Sequence, residues 1–411
     1  MAGDSLNVTQ TGLQGIETAM QAVSDNLANA QTTGFQSESV NFETLLGEFV
    51  AGNALGGGVS ANGVSRDFSQ GGITQANSST DMAIQGNGFF VLQDQSGTQM
   101  FSRNGQVVQS ADGTLLGFNG QQLMGYSVNS AGTPSGALAP IVIPQGVLAP
   151  SASTTSSLSG NLDATSPVIS GAINPADSTT YNTSVSVQVH DSLGNSHVMT
   201  FYFQNAGPGT SPVAQNWNWT ATLDGSATGL TNNSGTVGFD TSGNIVSGAL
   251  PGSALTAPIA GAANLSLNLN FSGLTQFASG TATTGTAGGN AVGNPQGVSI
   301  DSNGVVSVSY SNGQSVKVAQ VAVATFSNVE GLQLGNAGAY VQTLTSGQPT
   351  IATANTGSAG SIRPNSLENS NVDTTSQLVN LVVLQRSYQA SAKALQTQDS
   401  ILGTLMQIQT Q

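Results

Sequence analysis

The sequence predicts an α+β fold that is mainly β. Long N- and C-terminal α-helices pair as a coiled coil, and two antiparallel β domains lie between them, one inserted in the other. Three observations carry this expectation. Apolar heptads occur only at the two ends. Asn-Gly and Asp-Gly pairs punctuate β-prone runs in the middle. Composition shifts twice, at "IPQGVLAPSASTTSS" (Ile143 to Ser157) and at "ASGTATTGTAGGNAVGNPQG" (Ala278 to Gly297).

The first heptad runs Leu6, Leu13, Ile16, Met20, Val23, Leu27, Ala30, with spacings of 7, 3, 4, 3, 4 and 3, and Thr9 as a polar d position. Asp4 or Ser5 is suited to cap its start, and Gly34 is a left-handed stop after Thr32 and Thr33. A helix of about 25 residues spans roughly 37 Å. The last heptad opens with Thr374 and Gln377, spaced as a capping box. It continues through Leu378, Leu381, Tyr388, Ala392, Leu395, Leu402 and Met406, interrupted by Gln385 and Asp399. Its opening segment "LVNLVVL", which includes Val382 and Leu384, is apolar nearly all round. One partner helix cannot cover such a surface. Two readings stay open: a helical hairpin within one chain, or a pair that also packs on neighbouring copies.

Between the ends, the boundaries give an inner β domain (77–144 and 291–354) and an inserted outer β domain (145–290). Weakly patterned, Gly-rich extended connectors (34–76 and 355–371) join these to a terminal helical assembly domain (1–33 and 372–411). Phe201, Tyr202, Phe203, Trp217 and Trp219 are expected to form the core of the outer domain.

Composition excludes several functions. Charged residues make up 6% of the chain, with twenty acids against six scattered bases. No basic patch exists for nucleic acid or an anionic membrane. There is no Cys, hence no disulfide or thiolate chemistry. No run of about 18 apolar residues predicts a membrane span. The N-terminus lacks a secretory signal, so targeting rules alone give the cytoplasm, whereas a Lys-poor, Gly/Ser/Thr/Asn-rich composition matches extracellular fibres and arrays. His190 and His197 flank the turn "DSLGN", near Asp191, which is too few ligands for a stable metal site. No nucleophile, phosphate-loop or metalloprotease motif occurs, so neither catalysis nor a cofactor is expected.

The end motifs are the most specific feature. "SDNLANAQTTGF", with Asn26, Asn29, Thr32, Gly34 and Phe35, resembles the signature of bacterial flagellar rod and hook subunits; Asp25, Leu27 and Gln31 depart from its commonest form. "LENSNVD", with Asn371, Val372 and Asp373, and "QRSYQA", with Gln385 and Arg386, are similar to the C-terminal box of the same axial family. "GNGFFVLQD", "FSRNGQ", "DGTLLGFNGQQLMGY", "SGNLDA" and "VATFSNVEGLQLGNAGAYVQTLTSGQP" extend the resemblance over nearly the whole chain. Length and the insert after "SGNLDA" resemble hook members more than the distal rod protein. The resemblance implies a curved tubular homopolymer outside the cell, enclosing an export channel lined by the helices and acting as a universal joint. It also implies uncleaved export through the flagellar type III apparatus. The partners it implies are distal rod, hook cap, hook–filament junction and hook-length control proteins. The readings weighed against it are the distal rod protein and, from a different class, a secreted carbohydrate-binding β protein.

Overall fold

The computed structural model describes residues 2–50, 53–246, 254–335 and 338–409; within these, the side chains of residues 2–6, 45–50, 53–57, 402 and 405–409 are not described. The chain divides into two compact units. One comprises Met1–Gln145, Gly297–Ser309 and Ser315–Gln411, and the other Gly146–Gln296 and Tyr310–Gln314. Mainly β structure with a helix at each end matches the sequence expectation in outline.

In the first unit, helix α1 spans Ala2–Ala28. It stops short of Gly34. The Asn29 side chain returns to the Asp25 carbonyl (3.0 Å), and the Thr32 N–H donates to the Asn29 carbonyl (3.0 Å), so local turns replace the helical ladder. Ala30 therefore lies outside the helix and its heptad. The proposed caps, Asp4 and Ser5, have side chains outside the described residues.

Residues 34–76 are not a plain connector. They contain a long antiparallel hairpin, β1 (Glu38–Val50) with β2 (Asn53–Arg66). Register shifts after Val40, Thr44 and Leu46 break its alternation, and that is why the sequence shows no clean period of two. The hairpin is held by α1. A face of small residues, Gly15, Ala19 and Ala22, is buried along the helix. A Cβ on Gly15 would come within 3.0 Å of the Phe42 ring, and one on Gly58 within 3.2 Å of Val8 Cα. Small side chains here let strand and helix backbones approach closely.

The larger sheet of this unit has twelve strands among the described residues. Ser315–Thr325 runs through its centre, pairing with Gln122–Val128, Phe89–Gln93 and Thr350–Thr353. Phe89, Phe101, Met124, Ala322, Ala324 and Tyr340 are buried together. Phe101 meets Phe326 edge-on at 4.8 Å. The helix at the other end, α2, spans Thr374–Gln409.

Many of the hairpin turns follow one local rule that differs from the Asn-Gly signal. In "DQSGT", "DSLGN", "DTSGN" and "DSNGV" the Asp Oδ1 accepts the N–H groups two and four residues on, at 2.8–2.9 Å. The fourth residue is Gly97, Gly194, Gly243 or Gly304, with φ of 87°, 88°, 80° and 77°. The carboxylate fixes the turn, and only glycine takes the left-handed step without strain.

The second unit contains an antiparallel sheet in chain order: β3 (Thr183–His190), β4 (Ser196–Pro208), β5 (Gln215–Leu223) and β6 (Ser234–Phe239). A second sheet holds Leu255–Ala257, Leu265–Phe277, Thr155–Asp163 and Ala282–Ala287. It corrects the wholly antiparallel expectation, because Thr155–Asp163 and Leu265–Phe277 pair in parallel. These strands are far apart in sequence, and the chain between them supplies the long crossover that parallel pairing requires. Phe201, Phe203, Trp217 and Trp219 are buried as expected, with Phe271 packed edge-on to three of them. Tyr202 is the exception. Alternation along β4 turns it to the other face, against Tyr181 at 4.9 Å.

Candidate assembly surface

Helices α1 and α2 lie side by side and antiparallel. Thr9 Oγ1 meets Gln398 Oε1 at 3.3 Å near one end, and Ser37 meets Asn371 beyond the other. On α1, Val23 is buried, and Leu13, Ile16, Met20 and Leu27 are half-buried. On α2 the half-buried stripe is Gln377, Leu381, Leu384, Tyr388, Ala392, Leu395 and Gln398. This seam includes Leu381, Tyr388, Ala392 and Leu395 from the heptad, and Leu384 from the apolar opening segment. It leaves out Leu378, which turns outward. The side chains of Leu6 and Leu402 are outside the described residues.

The outward face of α2 is the feature of interest. Leu378 is 48% exposed, Val379 59%, Val382 46% and Val383 55%. Gln385 and Arg386 are also exposed. Four large apolar side chains within six residues face solvent at the start of a 36-residue helix.

A polar knot anchors this helix pair to the first unit's β structure, and most of the family-motif residues meet there. Asn26 is fully buried. Its Nδ2 donates to the Glu38 carbonyl and its Oδ1 accepts the Glu38 N–H, both at 2.7 Å. The amide does for the start of β1 what a neighbouring strand would do. Asn29 and Thr32 close the turn that follows, with Thr32 Oγ1 donating to Asn29 Oδ1 at 3.1 Å. The Gly34 N–H donates to the Glu368 carbonyl at 2.7 Å, with φ of 70°. A Cβ there would come within 2.6 Å of the Asn104 nitrogen, so backbone packing, as well as φ, requires glycine. Phe35 is half-buried, and its carbonyl accepts the Asn371 N–H at 3.4 Å. Asn371 Oδ1 accepts the Ser37 N–H at 2.7 Å, and its Nδ2 donates to the Asp67 and Ser69 carbonyls at 2.7 and 3.1 Å. Val372 is half-buried beside it.

Sequence reasoning missed the ion pair under this knot. Arg103 Nη1 lies 3.3 Å from Glu368 Oε2, with both side chains buried. Glu368 Oε1 also accepts the Gly71 N–H at 3.0 Å, and Arg103 stacks over Phe89 at 5.2 Å. Burial pushes the guanidinium below its ordinary value, and Glu368 opposes that shift. Burial also pushes the nearby Tyr340 hydroxyl up to about 12. The available signal was an Arg and a Glu inside the two motif blocks "FSRNGQ" and "LENSNVD", in a chain with only six bases.

The helix cap is one residue earlier than the sequence spacing indicated. Asp373, not Thr374, caps α2. Its Oδ1 accepts the Thr375 N–H at 2.9 Å, and Ser376 Oγ donates to its Oδ2 at 2.9 Å. The Ser376 side-chain bond, then those from the backbone, hold this carboxyl below its usual value. Aspartate wins because it accepts both side-chain and backbone donors of the first turn.

The two histidines do not converge on a shared site. His190 Nδ1 faces Ser196 Oγ at 3.4 Å, and the two nitrogens of His197 face different carboxylates. Among the described residues no three His, Cys, Asp or Glu side chains are grouped to hold a metal, and no helix is long and apolar enough to cross a membrane.

β units carrying a terminal helix pair, with an uncovered apolar face on one helix, define a structural subunit. Comparison with known proteins makes the class specific. The model of the flagellar hook protein FlgE/F/G D1 domain matches residues 83–164. That of the flagellar basal body protein FlaE D2 domain matches 161–289, and that of the flagellar basal body rod FlgEFG protein C-terminal region matches 363–408. The flagellar hook protein FlgE of Escherichia coli K12 is 34% identical, over 97% of this chain and 98% of its own. That of Salmonella typhimurium is 34% identical over 98% and 100%, and that of Treponema pallidum 30% over 97% and 98%. The chain belongs to the flagellar hook protein family. Its fold is shared with the crystal structure of Helicobacter pylori flagellar hook protein FlgE2, at a TM-score of 0.52 and 16% identity, covering 72% of this chain and all of that one.

Proposed function

We propose that this hook structural subunit assembles through its terminal helices into a curved tube outside the cell, which encloses an export channel and passes torque from rod to filament as a universal joint. The uncovered stripe Leu378, Val379, Val382 and Val383 carries this reading. Roughly half of each side chain remains to be covered, so docking on another copy contributes about 1 kcal/mol per side chain. Each contact is repeated in every copy. The helix pair is the rigid inner contact of this proposal, with the heptads meshing as a coiled coil. The nearly uncharged Ser/Thr/Asn/Gln surfaces of the β units are the outer contacts that slide during bending, since they lack strong ion pairs to break.

The subunit leaves the cell through the flagellar type III apparatus without a cleaved signal. It then meets distal rod, hook cap, hook–filament junction and hook-length control proteins. It is not an enzyme and binds neither nucleic acid nor a membrane interior. Helices that are loose before assembly suit passage through a narrow channel, and burial between copies then offsets the entropy of ordering them.

Negative-stain electron microscopy tests the proposal on the full chain and on a truncation lacking 1–33 and 373–411. Curved tubes from the first and monomers from the second support it. Straight tubes favour a rod-like role, and monomers from both remove intrinsic self-assembly from the account.

A further inference from the structure

Although titrating groups are sparse in this chain, three of them crowd one end of the β3–β6 sheet. His197 is the second residue of β4. Its Nδ1 lies 2.7 Å from Asp224 Oδ2, and its Nε2 lies 3.6 Å from Asp191 Oδ2. The two carboxylates come from different places: Asp191 sits in the β3–β4 turn, and Asp224 directly follows β5. Both are fixed. Asp191 Oδ1 accepts the N–H groups of Leu193 and Asn195, and its Oδ2 accepts Asn195 Nδ2 at 2.9 Å. Asp224 Oδ1 accepts the Val198 N–H at 2.9 Å, and the Asp224 N–H donates to the Val198 carbonyl at 2.9 Å. Asp224 holds a left-handed φ of 48° to do so, a conformation that costs a non-glycine residue roughly 1–2 kcal/mol.

This geometry selects one protonation state. A neutral imidazole has one N–H and one lone pair. Between two ionised carboxylates, both of which only accept, one ring nitrogen would point its lone pair at an acceptor. That nitrogen is buried: Nε2 is shut from solvent and has no hydrogen-bond partner in range, with Asp191 Oδ2 3.6 Å away. Only the imidazolium offers a proton to each side. Among the described residues, no competing charge acts on the ring. His190 on β3 faces Ser196, the Ala263 N–H donates to Ser192 Oγ over the turn, and the charged groups acting on His197 are Asp224 and Asp191.

We propose that His197 is a proton-operated latch, tying the β3–β4 turn to the end of β5 and holding the second unit more firmly in mildly acidic surroundings than in alkaline ones. The bond to Asp224, more than any other contact, raises the His197 pKa above its ordinary 6.5. Hydrogen bonds, led by that from the Asn195 side chain, hold Asp191 down at about 2. For a histidine raised on folding, the added stability is complete below 6.5 and is lost as pH climbs through the folded value. For an aspartate lowered on folding, it is present above the ordinary carboxyl range and is lost as pH falls toward 2. The latch is therefore closed between these limits.

Two properties of the full chain make the test direct. It has two histidines, and both of its tryptophans, Trp217 and Trp219, lie in the second unit. Imidazole Cε1–H resonances of the intact protein, assigned with His190→Gln, give the His197 titration midpoint. It is expected above 6.5 and lower in Asp224→Asn, a variant that keeps the left-handed turn because asparagine tolerates it. A midpoint at or below 6.5 overturns the latch. Tryptophan fluorescence then follows melting of the second unit from about pH 6 to about pH 9. The melting temperature is expected to fall across this range in the wild type and to stay level in His197→Gln. An equal fall in both proteins also overturns it.

Discussion

In the unit of residues 146–296 and 310–314, Phe201, Phe203, Trp217 and Phe271 are sealed from solvent; along α2, not one described side chain is. Both regions are built from the same polar, charge-poor composition. They differ in whether a partner surface is present within the chain. The aromatic cluster finds its partner in the facing sheet, whereas α2 finds only α1, on one side. A fold that completes itself in one region and stops short in another marks where the rest of its contacts must come from.

The comparison breaks most easily at the uncovered stripe. Val379→Asp with Val383→Asp is expected to abolish polymerisation outright, as seen by electron microscopy or sedimentation, because charge placed in a buried contact is not tolerated. Unfolding followed by tryptophan fluorescence should be unchanged, since Trp217 and Trp219 are buried in the second unit's own core. Loss of that signal together with the polymer would refute the division. The converse substitution is Phe271→Ala. It should lower the stability of the second unit by about 3–5 kcal/mol in denaturant titration, while the helix pair is untouched. A similar cost, about 3–5 kcal/mol, is expected for Glu368→Ala, which strands the buried Arg103 guanidinium, and it should appear in the unfolding of the first unit with no change in tryptophan signal. Replacing Arg103 and Glu368 together with apolar residues should recover much of that loss. The smallest effect is Asp373→Ala, which frays the first turn of α2. It should reduce helicity slightly by circular dichroism. The wild type should show the same fraying as pH falls below the ordinary carboxyl range, because the folded-state pKa is lowered.

The sequence carried the two terminal helices, the excess apolar surface of α2 and the aromatic core, because each has a strong period or a dense cluster. It concealed the hairpin β1–β2, whose bulged register destroys alternation and whose partner is a stripe of Gly and Ala that a search for large apolar residues passes over. It gave α1 a false end at Gly34, since the turn at Asn29 arises from a side chain competing with the backbone. The parallel strand pair could not be read at all. Strand direction depends on a crossover through a second sheet, and no local pattern encodes it. The motif residues were legible as a signature but not as a mechanism. That Asn26 mimics a strand, and that Gly34 is required by the Asn104 backbone, emerge only when distant segments are brought together.

Thr9 and Gln398 touch although 389 residues separate them. Among the described residues the helix pair thus closes one of the longest loops, and its closure must await the last segment to be made. Any process that delivers the chain from its N-terminus leaves α1 waiting while both β units form their own shorter-range pairings. The order of events is written into the topology: the scaffold sets first, and the helices that would join one copy to the next come together last.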